Sequence, residues 1–101
     1  MASFNDIDNC GTLYSEEFGF FNILGVTVAT NGYQGGDSGH GGRTYIRLED
    51  LSSTDIDARV SVGPDTNSKV EIMLGGDSEL DSVIEALRWA ADKLEELKNS
   101  H

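Results

Sequence analysis

One proline, Pro64, and one cysteine, Cys10, occur among 101 residues. The lone cysteine excludes an internal disulfide framework, and a single thiol suits a reducing compartment. So little proline beside 38% hydrophobic residues excludes a disordered composition. No apolar run approaches the ~20 residues that a membrane-spanning helix needs. The opening Met1-Ala2-Ser3-Phe4-Asn5-Asp6 has neither the basic region nor the apolar core of a secretory signal, so a cytoplasmic chain is expected. Basic residues are scarce: seven against eighteen acidic, a net charge of −11. Residues 1–42 hold five acids and no Lys or Arg at all. That balance argues against an ordinary nucleic-acid binder, which needs a basic footprint to displace counterions. The length fits one domain over 1–101, small enough for oligomerisation to help it.

What is present reads as strands followed by a helix. Phe18 to Thr30 is apolar and β-branched, either one strand bent at Gly19 and Gly25 or two short strands. Thr44 to Asp50 alternates, with Ile46 and Leu48 on one side and Tyr45, Arg47 and Glu49 on the other. Ile56 to Gly63 alternates likewise, and Lys69 to Leu74 turns Val70, Ile72 and Leu74 inward. Such alternation describes an antiparallel sheet covered on one face and wet on the other. The cover expected is a helix over 78–98, capped by Asp77 or Ser78. Its stripe is Leu80, Val83, Ile84, Leu87, Ala91, Leu94 and, at the margin, Leu97. The fold class is therefore α+β: an antiparallel sheet of four to five strands with one C-terminal amphipathic helix on one face. Residues 1–17 form an N-terminal arm whose structure the pattern leaves open.

Trp89 does not fit the stripe. At ~100° per residue it falls on the far side of the helix, among Glu85, Asp92, Lys93 and Glu96. It is either a singly exposed aromatic, one covered by the N-terminal arm, or an interface residue, since Trp is enriched where proteins meet.

Between the first strands and Thr44 lies a loop, residues 31–43, with six glycines between positions 32 and 42. Glycines this dense cost entropy on ordering, but they allow consecutive exposed N–H groups, the basis of anion-binding nests. Gly36, Asp37, Ser38, His40, Gly41, Gly42, Arg43 and Thr44 are the candidate phosphate-binding positions, Arg43 through its planar fork. Tyr45 and Arg47, with Arg59 on an expected neighbouring strand, would offer a base or ribose an aromatic and cationic bed. A plain hairpin tip and a solvated sheet face, with cross-strand pairs to Glu49, Asp57 and Glu71, are the simpler readings. Gly-Gly-Asp-Ser occurs twice, at 35–38 and 75–78. Chance accounts for a repeat in so glycine-rich a chain; otherwise both copies would serve one ligand site. Three enzyme motifs come close and fail. Gly36-Asp37-Ser38-Gly39 lacks the distant His and Asp of a serine-protease triad. Asp37 stands where a P-loop needs its first glycine, and Arg43 where it needs lysine. His40 and Asp37 have no metal-ligand spacing around them.

The segment Gln34 to Leu51 (QGGDSGHGGRTYIRLEDL), followed by Lys69-Val70-Glu71-Ile72-Met73-Leu74-Gly75-Gly76-Asp77 and a terminal amphipathic helix, resembles a group of small uncharacterised bacteriophage proteins. They carry a Gly-Gly-Asp-x-Gly-His-Gly-Gly loop, and the likeness covers roughly residues 20–97. It implies the cytoplasm of a bacterial host and, by analogy with other small phage proteins, action against host defence. The expectation is a non-enzymatic binder that sequesters a phosphorylated small ligand, of the cyclic or ADP-ribose-derived nucleotide kind. It would need no cofactor, no metal, no nucleic acid and no membrane, and a homo-oligomer would complete its pocket. The alternatives are an acidic interaction module, such as a DNA-mimicking inhibitor of a host enzyme, and a minor virion structural or assembly protein.

Overall fold

A computed structural model describes residues 3–20, 23–36, 41–52 and 69–100. Four strands among them form one antiparallel sheet in chain order: β1 (Tyr14–Phe18), β2 (Ile23–Thr30), β3 (Arg43–Ser52) and β4 (Lys69–Gly75). A helix, α1 (Asp77–Ser100), follows, and a 3-10 segment (Phe4–Cys10) precedes the sheet. The chain is α+β, as the strands-then-helix pattern predicts. The expected strand at Ile56–Gly63 lies outside the described residues.

Of the apolar run from Phe18 to Thr30, Ile23–Thr30 forms one strand, β2, and Phe18 itself ends β1. β1 pairs back on β2 from Tyr14↔Val28 to Phe18↔Leu24. Four of the five residues of β1, Tyr14 to Glu17, therefore come from the arm left open above. Its five residues are all exposed, which is why no alternation marks it. The rest of the arm is ordered by Ser3, whose Oγ accepts the Asn5 N–H at 3.2 Å while Asp6 Oδ2 accepts the Ser3 N–H at 3.2 Å. This capping box begins the 3-10 turn.

Register places Val28, Ile46 and Ile72 in one cross-strand row, with Val26, Leu48 and Val70 in the next. These residues share a face, as the alternation requires, but that face is buried only in part. Val28, Leu48 and Ile72 remain exposed, while Ile46 and Thr44 are buried near the start of α1. The buried cluster lies on the opposite face, where Cys10 and Ile7 of the 3-10 turn pack against Ala29, Tyr45 and Met73. Tyr45 and Cys10 are both fully buried. The expectation of an open face at Tyr45 is thus corrected. The acid-rich N-terminal segment folds over that face, because Cys10 and Ile7 are its apolar members.

The helix runs 24 residues, and none of them is buried. Leu80, Val83, Ile84 and Leu87 line an apolar groove of about 270 Å³ facing Tyr14, Val28 and Ile46. Farther along, Leu94 is 68% exposed. The stripe exists as predicted, but its own sheet does not use it up.

Candidate functional site

The glycine loop is built around an anion, and the anion is its own. Asp77, the first residue of α1, directs its carboxylate at the backbone of Gln34, Gly35, Gly36 and Gly42. Oδ1 accepts the N–H groups of Gln34 at 2.9 Å and Gly42 at 3.0 Å. Oδ2 accepts those of Gly35 at 2.8 Å and Gly36 at 3.4 Å. Backbone bonds run the other way: the Asp77 N–H donates to Gly36 O, and the Gly76 N–H to Gly42 O, both at 2.8 Å. The convergent N–H groups are the nest that the glycines foretell, and the helix N-terminus adds its partial positive charge. The N–H of Gln34 first, and those of Gly42, Gly35 and Gly36 after it, hold the Asp77 carboxyl below the ordinary aspartate range.

Two glycines are required for this closure. A Cβ on Gly41 would sit 2.2 Å from Gly36 O, and one on Gly42 would sit 2.2 Å from Gly32 O. Gly41 also adopts φ +75°, where a side chain is strained. Asn31 ties the rim, its Oδ1 accepting the Arg43 N–H at 2.8 Å, and the Tyr33 hydroxyl donates to Asp81 on α1. That bond to Asp81 raises the Tyr33 phenol above its usual pKa.

Arg43 is part of the same framework. Its Nε donates to Asp6 Oδ2 at 2.9 Å, and Nη1 donates to the carbonyls of Gly41 and Gly42, each at 3.1 Å. The guanidinium therefore joins the 3-10 turn to the loop. It also keeps the Asp6 carboxyl below its ordinary pKa. Thr44 is buried, its hydroxyl 3.0 Å from that of Thr30.

Tyr45 and Arg47 are neighbours, as alternation on β3 demands. The buried Tyr45 hydroxyl donates to Glu71 Oε2 at 2.7 Å and accepts from Arg47 Nη1 at 3.4 Å. Burial, and then the Glu71 carboxylate, raise the phenol's pKa. Arg47 Nη2 donates to Thr27 Oγ1 at 3.1 Å. Its Nε lies 3.4 Å from Glu49 Oε1 yet makes no hydrogen bond, although the atom is buried. Arg47 borders a depression of about 330 Å³ with Ser15, Thr27, Glu16, Glu17 and Glu49. Its carboxylates outnumber its one guanidinium, an arrangement that repels phosphate.

Of the residues expected to bind ligand, the structure brings Gly36, Gly41, Gly42 and Arg43 together in one loop. It seats Tyr45 and Arg47 side by side on β3. Asp37, Ser38, His40 and Arg59 lie outside the described residues. Trp89 is 66% exposed on α1. Sequence reasoning missed Asp77 as the loop's partner, although the duplicated Gly-Gly-Asp-Ser was its signal. The second copy supplies the carboxylate that the first copy's N–H groups bind. Among the described residues, no group of three His, Cys, Asp or Glu side chains could hold a metal ion, and no helix is long and apolar enough to cross a membrane. Comparison of the chain with protein-family models, with curated proteins and with solved structures finds no match.

Proposed function

We propose that this chain is an interaction module whose task is to bind another protein chain. One observation carries the reading: a 24-residue helix without a buried residue stands beside a sheet face on which Val28, Leu48 and Ile72 are exposed. A helix gains most of its stability from packing an apolar face, so this one calls for a partner. A contiguous exposed apolar surface rimmed by acids is what an interaction site looks like. Homo-oligomerisation and capture of a host protein both belong to this reading. In the phage setting that the loop resembles, the host protein would be a defence enzyme, approached through the acidic outer side of α1 with Trp89 at its centre. The test is affinity capture from host lysate with wild-type, Leu94→Glu and Trp89→Ala baits. A partner retained by wild type and lost from one variant supports the reading and names the surface. Equal recovery by all three baits removes its host-protein form and leaves only self-association.

The phosphorylated-ligand reading has one observation in its favour, the convergence of the N–H groups of Gln34, Gly35, Gly36 and Gly42 on a single anion. A ligand phosphate would have to displace the Asp77 carboxylate to reach them. A thermal-shift screen with cyclic dinucleotides, cyclic ADP-ribose isomers and ADP-ribose tests this, because a native-state ligand raises the melting temperature. The shift should be larger in Asp77→Ala, where the competing anion is gone. No shift in either protein ends the reading.

A further inference from the structure

We propose that the partner of the open apolar face is a second copy of this chain, bound about a two-fold axis so that each copy's helix stripe packs on the other's sheet. The inference rests on the interaction reading above and names its partner. Each chain offers both halves of the contact and covers each only in part. Val28, Leu48 and Ile72 are 40–44% exposed on the sheet, and Leu87, Leu94 and Leu97 are 45–68% exposed on the helix. A two-fold operation covers both at once, because an isologous contact places the same patch on each side.

The dimensions agree. The helix is ~36 Å long and the sheet ~19 Å wide, so stripe and face offer on the order of 700 Å² per chain, close to one partner's share of a standard interface.

Charge selects the occupant. The chain carries −11, yet Val28, Leu48 and Ile72 are uncharged and the sheet face bears Glu16 at its β1 edge, while Glu85, Asp92 and Glu96 fall on the helix side away from the stripe. A basic partner would be drawn to those acids and not to this face. An anionic lipid surface would be repelled by the chain as a whole. Two copies bring apolar faces together and leave the acids of the outer helix side in water. Their net charges still repel, so added salt should tighten the dimer, whereas it would loosen a complex with a basic partner.

Sedimentation velocity on the full chain decides the matter, run at about 20 and about 500 mM salt, which screen charge very differently. The expected mass is twice 10.9 kDa, with association stronger at high salt. Leu94→Glu should weaken association by ~30-fold or more, as loss of a central apolar contact does. Its helix content by circular dichroism should match wild type at equal dilution. Three outcomes overturn the proposal: a monomer at every concentration, a dimer that dissociates as salt rises, or a dimer lost in Trp89→Ala and kept in Leu94→Glu. A monomer that binds an apolar dye would leave the interaction reading standing with another partner. A monomer that binds none would remove both.

Discussion

Asp77 shows how one side chain decides what a loop can do. Its carboxylate fills a nest of N–H groups that would otherwise face water or a ligand, so the glycines serve closure first. Gly41 is the sharpest probe of that closure. A methyl group there meets a carbonyl at 2.2 Å on a backbone already at φ +75°. Gly41→Ala should cost at least ~1–2 kcal/mol from the left-handed conformation alone, lowering the melting temperature by several degrees or more. An unchanged melting temperature would mean that the loop is not closed in solution. Tyr45 gives a contrasting case. Phe there keeps the buried ring and loses the hydroxyl bond to Glu71, a cost of about 1 kcal/mol, whereas Tyr45→Ala empties the core at ~3–5 kcal/mol. Urea denaturation of both variants measures the difference. Cys10 is fully buried, with its Sγ 3.8 Å from Met73 Sδ, and burial raises its thiol pKa. It should therefore resist alkylation in the native chain and react promptly in urea. Fast native labelling would show that the 3-10 turn does not stay docked.

At the scale of elements, two joints hold the ends of the chain to the sheet. Arg43 and Asp6 tie the 3-10 turn to the loop, and Asp77 ties the helix to it. Both carboxyls have folded pKa values below their free values. Depressed acids stabilise the fold fully above the unfolded pKa, near pH ~4, and that stabilisation is lost as pH falls through the lower folded values. Melting temperature should thus hold down to about pH 4 and then drop. Asp77→Asn should be less stable at neutral pH and should show a shallower acid decline. Parallel profiles for the two proteins would show that the carboxylate does not contribute. The helix belongs to this scale too. With no residue buried, its C-terminal half has little to protect its amides in an isolated chain. Hydrogen exchange from about residue 88 onward should be fast at high dilution and slow as protein concentration rises. Concentration-independent protection would contradict an intermolecular role for the stripe.

For the whole molecule, the unexpected feature is which face of the sheet holds the core. Alternation along β3 correctly separates Ile46 and Leu48 from Tyr45 and Arg47, and the register confirms that Val28, Ile46 and Ile72 share a row. Assigning the apolar set to the interior supposes that the helix covers it. In the structure the helix covers that set only around Ile46 and Thr44, and the N-terminal turn buries the other set around Tyr45. A charge of −11 on so small a chain opposes compaction as well as association. Salt should therefore raise the melting temperature. A flat response would imply that ion pairs such as Arg43–Asp6 offset the repulsion.

Hydrophobic period, caps and glycine placement by themselves determined the strands at β3 and β4, the helix and the anion-binding character of the loop, because each depends on neighbours within a few residues. The site was legible as a kind, a nest of N–H groups, and not as an occupant. The carboxylate that fills it comes from Asp77, 41 residues beyond Gly36, and only the closing of β4 beside β3 brings the two together. For the same reason no pattern marked β1, whose exposed residues gain structure only by pairing with β2. Which face is buried is likewise a tertiary decision. It depends on whether Cys10 and Ile7 or the helix stripe reach the sheet, and that is a matter of where distant segments can lie.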